Sequence, residues 1–169
     1  MIYCKKCIIP NTRPNVFILP DGVCTACKSF INKKKIDWRE KKIEFEKIVK
    51  NIKSKKKLYD CLIPVSGGKD STWQVLKILS YKLNPLTFTY KPLLRNKIGQ
   101  QNLDNLKSLG VHHIDFTVNE IAEKKFLKKA FLKFGAVGIP MHMAMWNISY
   151  NLAKNFSIPF IIWGENSAN

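Results

Sequence analysis

The feature that most constrains this chain is a strand that breaks into two glycines and restarts as a helix. The run Tyr59-Asp60-Cys61-Leu62-Ile63-Pro64-Val65 has the apolar content of a buried strand. From Thr72 to Leu83, Thr72, Val75, Leu76 and Leu79 fall on one side at helical spacing, which predicts an amphipathic helix. Between them stands Ser66-Gly67-Gly68-Lys69-Asp70-Ser71. A strand that turns through glycine into a helix start points backbone N–H groups at one spot, and the helix dipole adds positive potential there. Such a place binds phosphate. Gly67 and Gly68 let the backbone approach closely, Ser66 and Ser71 offer hydroxyls, and Lys69 offers a point charge. Asp70 would repel bare phosphate, so its expected task is to hold Mg²⁺ against phosphate oxygens.

The rest of the chain supplies a frame for that turn. Leu86-Thr87-Phe88-Thr89-Tyr90 alternates as a second strand, and Ile98 to Leu109 reads as a helix closed by Gly110. Ile114 to Val118 is a third strand. Asn119 caps a helix with Leu127, Ala130, Phe131 and Phe134 expected inward. Met141 to Asn155 reads as a buried helix, and Ile158 to Trp163 as a central parallel strand. Trp73 and Trp146 are expected in the core, and His112 and His113 as surface or satisfied histidines. Alternating strands and helices predict an α/β fold with a parallel sheet. Ligands of such sheets bind beyond the carboxyl ends of the strands. Tyr90 there is a candidate to pack on adenine, and Gly164, Glu165 and Asn166 are candidates to meet the nucleotide, a metal or the activated substrate. His142 is placed near the same site, with capping or packing as its alternative role. No general base is visible.

Two cysteine pairs open the chain, Cys4-x2-Cys7 and Cys24-x2-Cys27. The sixteen residues between them, Ile8 to Val23, fall within the interval of about 15–20 typical of four-thiolate zinc sites. Two disulfides are the alternative. Against them stand an N-terminus without an apolar signal core, the lack of a transmembrane run, and a fifth cysteine, Cys61. A closed four-cysteine site is structural. Cys61, on the buried strand, is expected to pack.

The net charge of +17 raises nucleic acid as a partner. Only 3 of the 29 basic residues are arginine, however, the side chain best suited to bidentate phosphate and base recognition. The excess is also local. Residues 28–57 hold thirteen Lys or Arg against four acids, while Phe45, Ile48, Val49 and Ile52 recur at helical spacing. A connecting helix with a solvated lysine face is the simpler reading, and nucleic acid the weaker one. The expected division is a zinc-binding element over 1–30, a lysine-rich helix over 31–57 and a nucleotide domain over 58–169.

The loop fails G-x-x-x-x-G-K-[ST], because Asp70 follows Lys69, and it lacks the third glycine of the dinucleotide fingerprint. It resembles instead the S-G-G-x-D-S loop of the PP-loop ATP pyrophosphatases, which split ATP between its α and β phosphates. With the opening Cys4-Lys-Lys-Cys7-Ile-Ile-Pro10-Asn-Thr12-Arg13-Pro14 and the later Gly22-Val-Cys24-Thr-Ala-Cys27, the whole chain resembles the N-acetyl sugar amidotransferases. These serve O-antigen, lipopolysaccharide, capsule or flagellar sugar synthesis.

The resemblance implies a Rossmann-like sheet of PP-loop (adenine nucleotide alpha hydrolase) type. It implies adenylation of the acetamido group of a nucleotide-linked N-acetyl sugar, then replacement of oxygen by ammonia from a glutaminase partner, in the cytoplasm and without membrane insertion. By carry-over, Ser66, Gly67, Gly68, Lys69, Asp70 and Ser71 hold ATP. Lys69 and Asp70 serve catalysis, Asp70 holds Mg²⁺, and Cys4, Cys7, Cys24 and Cys27 hold zinc. Members of that family are expected to be longer, which predicts that the last part of the fold is missing here. A tRNA-thiolating PP-loop enzyme is the alternative, disfavoured because no cysteine follows Cys61. An ATP-binding subunit without turnover is a third reading.

Overall fold

The computed structural model describes residues 1–33 and 35–164. The chain divides into two compact units, Met1–Glu46 and Lys47–Asn169.

In the first unit the chain makes two short antiparallel contacts, Tyr3 with Pro10 and Ile18 with Cys24, and then enters helix α1 (Thr25–Lys33). Gly22 closes the second turn with φ +81°, a left-handed conformation that favours glycine. Helix α2 (Trp38–Ser54) starts at Asp37, whose Oδ1 accepts from the N–H groups of Arg39 (2.8 Å) and Glu40 (3.3 Å). It carries the chain into the second unit, where it buries Val49 and Ile52 and exposes its lysines. Among the described residues no helix is long and apolar enough to cross a membrane.

The second unit is built on three parallel strands in the order β1 (Cys61–Pro64), β2 (Pro85–Tyr90) and β3 (His112–Phe116). Cys61 stands opposite Pro85 and Leu86 opposite His112. Helix α3 (Lys69–Ser80) joins β1 to β2, and α4 (Lys97–Lys107) joins β2 to β3. After β3 come α5 (Glu120–Phe134) and α6 (Ile139–Asn155). Asn119 caps α5 by accepting from Ala122 N–H at 3.0 Å, and Gly135 ends it in the left-handed conformation.

On one sheet face Leu62, Leu86, Phe88 and Tyr90 pack with Tyr59, Ile148 and Ile158. The residues alternating with them, Cys61, Ile63 and Thr87, are fully buried too, so β1 and β2 are covered on both sides. Each large apolar side chain so buried contributes about 1.5–3 kcal/mol. Of the two histidines opening β3, His112 Nδ1 lies 2.8 Å from the Tyr59 hydroxyl and His113 Nδ1 lies 3.0 Å from Thr87 Oγ1, while the buried His113 Nε2 has no partner among the described residues.

Several expected positions differ. The segment 158–163 pairs with β1 through Leu62 N–H to Phe160 O (2.8 Å) and Ile162 N–H to Leu62 O (2.9 Å), on the side away from β2. It is mostly half-buried and joins the sheet through an isolated parallel bridge rather than a full strand. Helix α3 begins three residues earlier than its apolar pattern and buries Gln74, Val75 and Ile78, leaving Leu76 exposed. Trp73, Trp146, Phe131 and Phe134 are exposed rather than inside, and α6 buries only Pro140, Ile148 and Ser149. The common reason is helical phase. A helix apolar on several sides buries only the side that meets a neighbour, which for α5 runs along Glu123, Leu127 and Ala130.

Candidate nucleotide site and four-cysteine cluster

The turn after β1 is set by hydrogen bonds that hold the chain open at the strand end. Val65 N–H donates to Phe88 O at 2.8 Å, and Thr89 Oγ1 donates to Val65 O at 2.7 Å. Gly67 then takes φ +77°, and a Cβ on it would stand 3.1 Å from the backbone nitrogen of Leu103 on α4. Both conformation and space require glycine there. Gly68 differs: its φ is −75°, and it serves as the N-cap of α3. Its N–H is taken by Ser66 Oγ at 3.3 Å, while its carbonyl accepts from Ser71 Oγ (3.0 Å) and Thr72 N–H (3.0 Å).

Lys69, Asp70 and Ser71 are therefore the first three helical residues, whose N–H groups have no acceptor within the helix. They form the anion-facing end of α3. Lys69 Nζ bonds Asp70 Oδ1 at 2.7 Å, with both side chains more than four-fifths exposed, so the pair is worth little and can open for a ligand.

A cavity of about 580 Å³ lies against this turn. Ser66, Asp70 and Ser71 border it, as do Tyr90 at the end of β2 and Gly164. Gly67, Gly68 and Lys69 build the loop beside them. Glu165 and Asn166 lie outside the described residues.

Other cavity residues had no sequence signal. Arg95, only 10% exposed, donates from both terminal nitrogens to the Asp115 carboxylate at 2.6 Å each, and from one to Gln100 Oε1 at 3.1 Å. Asp115 raises the Arg95 pKa, and the guanidinium holds the Asp115 carboxyl below its ordinary value. Asn96 borders the cavity and caps α4 by accepting from Gly99 N–H at 2.7 Å. The Tyr90 hydroxyl donates to Glu123 Oε1 at 2.6 Å, and burial followed by that carboxylate raises its pKa. Gln74, Met141, His142, Met145 and Trp163 complete much of the remaining wall. The contacts of Arg95 and Tyr90 join residues 20 and 33 positions apart, beyond any local pattern.

The four N-terminal cysteines converge separately within the first unit. Their sulfurs all lie within 4.8 Å of one another. Cys4 and Cys27 are 4.0 Å apart, and Cys7 and Cys24 are 3.6 Å apart. A tetrahedron of Zn–S bonds of about 2.3 Å spaces its sulfurs by about 3.8 Å, so the set fits such an ion, while a disulfide needs about 2.05 Å. Backbone N–H groups point at the sulfurs: Lys6 and Cys24 donate to Cys4 Sγ at 3.4 and 3.2 Å, and Cys27 donates to Cys24 Sγ at 3.3 Å. Burial raises the Cys4 thiol, but these bonds outweigh it and bring the pKa down to about 6. Cys27 is pushed up to about 12, first by its bond with Cys7 and then by burial. Four thiolates repel one another, and a divalent cation is what lets all four ionise together. Cys61 belongs elsewhere: it is fully buried on β1, and burial pushes its thiol to about 12.

An α/β unit with this loop at the carboxyl end of β1 has the PP-loop type of fold. Comparison with solved structures agrees. The chain is similar to an NH3-dependent NAD synthetase from Campylobacter jejuni subsp. jejuni, with TM-score 0.52 and 18% identity over 74% of this chain and 56% of that one. It is also similar to an NMN synthetase from Francisella tularensis, with TM-score 0.52 and 16% identity over 68% of this chain and 50% of that one. The chain thus spans about half the length of these proteins. No protein-family model and no curated protein sequence matches it.

Proposed function

We propose that this chain is the ATP-binding part of an amidotransferase that converts the acetamido group of a nucleotide-linked N-acetyl sugar to an acetamidino group. The observation that carries the reading is the Ser66–Ser71 turn, with the first turn of α3 open toward a cavity of about 580 Å³. An amide oxygen is a poor leaving group. Transfer of AMP to that oxygen makes it a good one, and pyrophosphate departs. The N–H groups of Lys69, Asp70 and Ser71, the hydroxyl of Ser66, that of Ser71 once it turns from the Gly68 carbonyl, and the Lys69 ammonium offset the charge that develops on the β-phosphate oxygens. Asp70 would hold Mg²⁺, which supplies charge neutralisation at the phosphates when bound. Tyr90 and Gly164 border the space for the nucleoside. Ammonia, from a glutaminase partner, then replaces the adenylated oxygen. Zinc in the four-cysteine cluster is structural, and the setting is the cytoplasm.

The thiolation alternative loses a candidate in the structure. Cys61, the sole cysteine outside the N-terminal cluster, is fully buried with a raised pKa and cannot carry sulfur to a substrate.

The test is pyrophosphate release from ATP with ammonium and a nucleotide-linked diacetamido uronic acid, run beside the same mixture with tRNA in place of sugar. Sugar-dependent release is expected, and Asp70→Asn should lower it about 100-fold by weakening the hold on metal and phosphate. Release that depends on tRNA alone would replace this reading with the thiolation one.

A further inference from the structure

Four titratable side chains border the cavity: Asp70 on α3, Tyr90 on β2, Arg95 before α4 and His142 on α6. Three are committed. The Tyr90 hydroxyl is spent on Glu123 at 2.6 Å, and its raised pKa keeps it protonated. Arg95 is locked to Asp115 by two bonds of 2.6 Å. Asp70 stands in the first turn of α3 beside Lys69, at the phosphate end. His142 is different. It sits in the first turn of α6, its own N–H donates to Gly138 O at 3.1 Å, and its exposed ring has no side-chain hydrogen bond among the described residues. A Cβ on Gly138 would stand 3.6 Å from that ring, in ordinary van der Waals contact.

We infer that His142 is the general base of the ammonia step. The inference rests on the amidotransferase reading above and assigns the one proton that reading leaves without an acceptor. Ammonia attacks the adenylated amide carbon through its lone pair, forming the C–N bond and placing a positive charge on the incoming nitrogen while the C=N π pair moves onto the amide nitrogen. His142 takes a proton from that nitrogen through its unprotonated ring nitrogen. The C–O bond to AMP breaks, its electron pair leaving with the phosphate oxygen as the lone pair of the deprotonated nitrogen forms the new C=N bond, and the amidine remains. Without proton removal, ammonia is the easier group to expel and the intermediate returns to reactants. No proton acceptor is required for transfer of AMP to the amide oxygen, so His142 acts after pyrophosphate has formed.

That order gives a test with two separate readouts on the full chain. Exchange of labelled pyrophosphate into ATP, with the nucleotide-linked diacetamido uronic acid and without ammonium, reports adenylation alone. Amidine formation with ammonium chloride reports the second step. His142→Ala should leave the exchange rate and ATP affinity at the native level and lower amidine formation about 100-fold or more, within the usual range of a general base. Added imidazole should restore part of the loss, and His142→Gln, which fills the site without a basic nitrogen, should not. Unchanged amidine formation in His142→Ala overturns the role. A parallel fall in exchange and amidine formation also overturns it, placing His142 in binding. A native chain with no sugar-dependent exchange fails differently, since it removes the amidotransferase reading itself.

Discussion

Among the described residues of Met1–Glu46 the buried ones are two cysteines, Cys4 and Cys24, whereas Lys47–Asn169 encloses Leu62, Ile63, Leu86, Phe88, Leu103 and Leu106. A segment of that first size cannot remove enough apolar surface from water to offset the entropy of ordering its backbone. Its turns converge on four sulfurs instead, spaced as a metal ion would need them. The second unit covers β1 and β2 on both faces and has an apolar core of its own. The contrast is between four clustered sulfurs in one unit and a buried apolar core in the other, and it predicts that each can be removed separately.

Removing the proposed zinc is the harshest way to break that comparison. Structural zinc in small domains contributes about 10–16 kcal/mol of apparent binding free energy, which is then folding free energy. Chelation, or Cys24→Ser, should abolish amide-exchange protection over residues 1–33 and leave that of β1, β2 and α3 unchanged. Simultaneous loss in both units would show that the second depends on the first.

The reciprocal experiment removes carbon instead of metal. Phe88 is fully buried between strands and α6, and Phe88→Ala should cost the second unit about 3–5 kcal/mol, read as a lower urea midpoint. The thiolate absorption of Co²⁺ substituted at the four cysteines should not change. A shifted cobalt spectrum would mean that the cysteine cluster takes its shape from the apolar core.

How far each unit was legible follows from the range of its interactions. The cysteine cluster is written in spacing, because Cys-x2-Cys fixes two ligands locally and the sixteen-residue interval between pairs leaves one closing step. The phosphate turn is equally local: Gly67, the cap at Gly68 and the first turn of α3 lie within six residues. Strand and helix identities were readable from periodicity, and Asn119 from capping chemistry. Which helix side faces inward was not, since Phe131, Phe134, Trp73 and Trp146 are as apolar as residues that are buried. The far wall of the cavity was hidden for a similar reason. Arg95 with Asp115 and Tyr90 with Glu123 are paired by the sheet and by α5, and no short pattern announces them. Segment 158–163 was readable as extended chain from its continuous apolar run, and it joins β1 through an isolated parallel bridge.

The smallest expected effect separates the units by acid. Arg95 holds the Asp115 carboxyl below its ordinary value of about 3.9, so the folded second unit binds this proton less readily than the unfolded chain. That contribution is complete above the unfolded pKa and is lost as pH falls through the lower folded one. Asp115 is 35% exposed, and screening by water keeps the contribution well below the loss at Phe88. Asp115→Asn should therefore lower the urea midpoint of the second unit slightly at pH 7 and flatten its decline between about pH 5 and pH 2. Amide exchange on β2 and β3 is the proper readout, because those strands carry the pair and report nothing about thiolate protonation in the first unit. A variant whose acid decline stays as steep as that of the native chain would move the acid sensitivity of the second unit to another carboxylate.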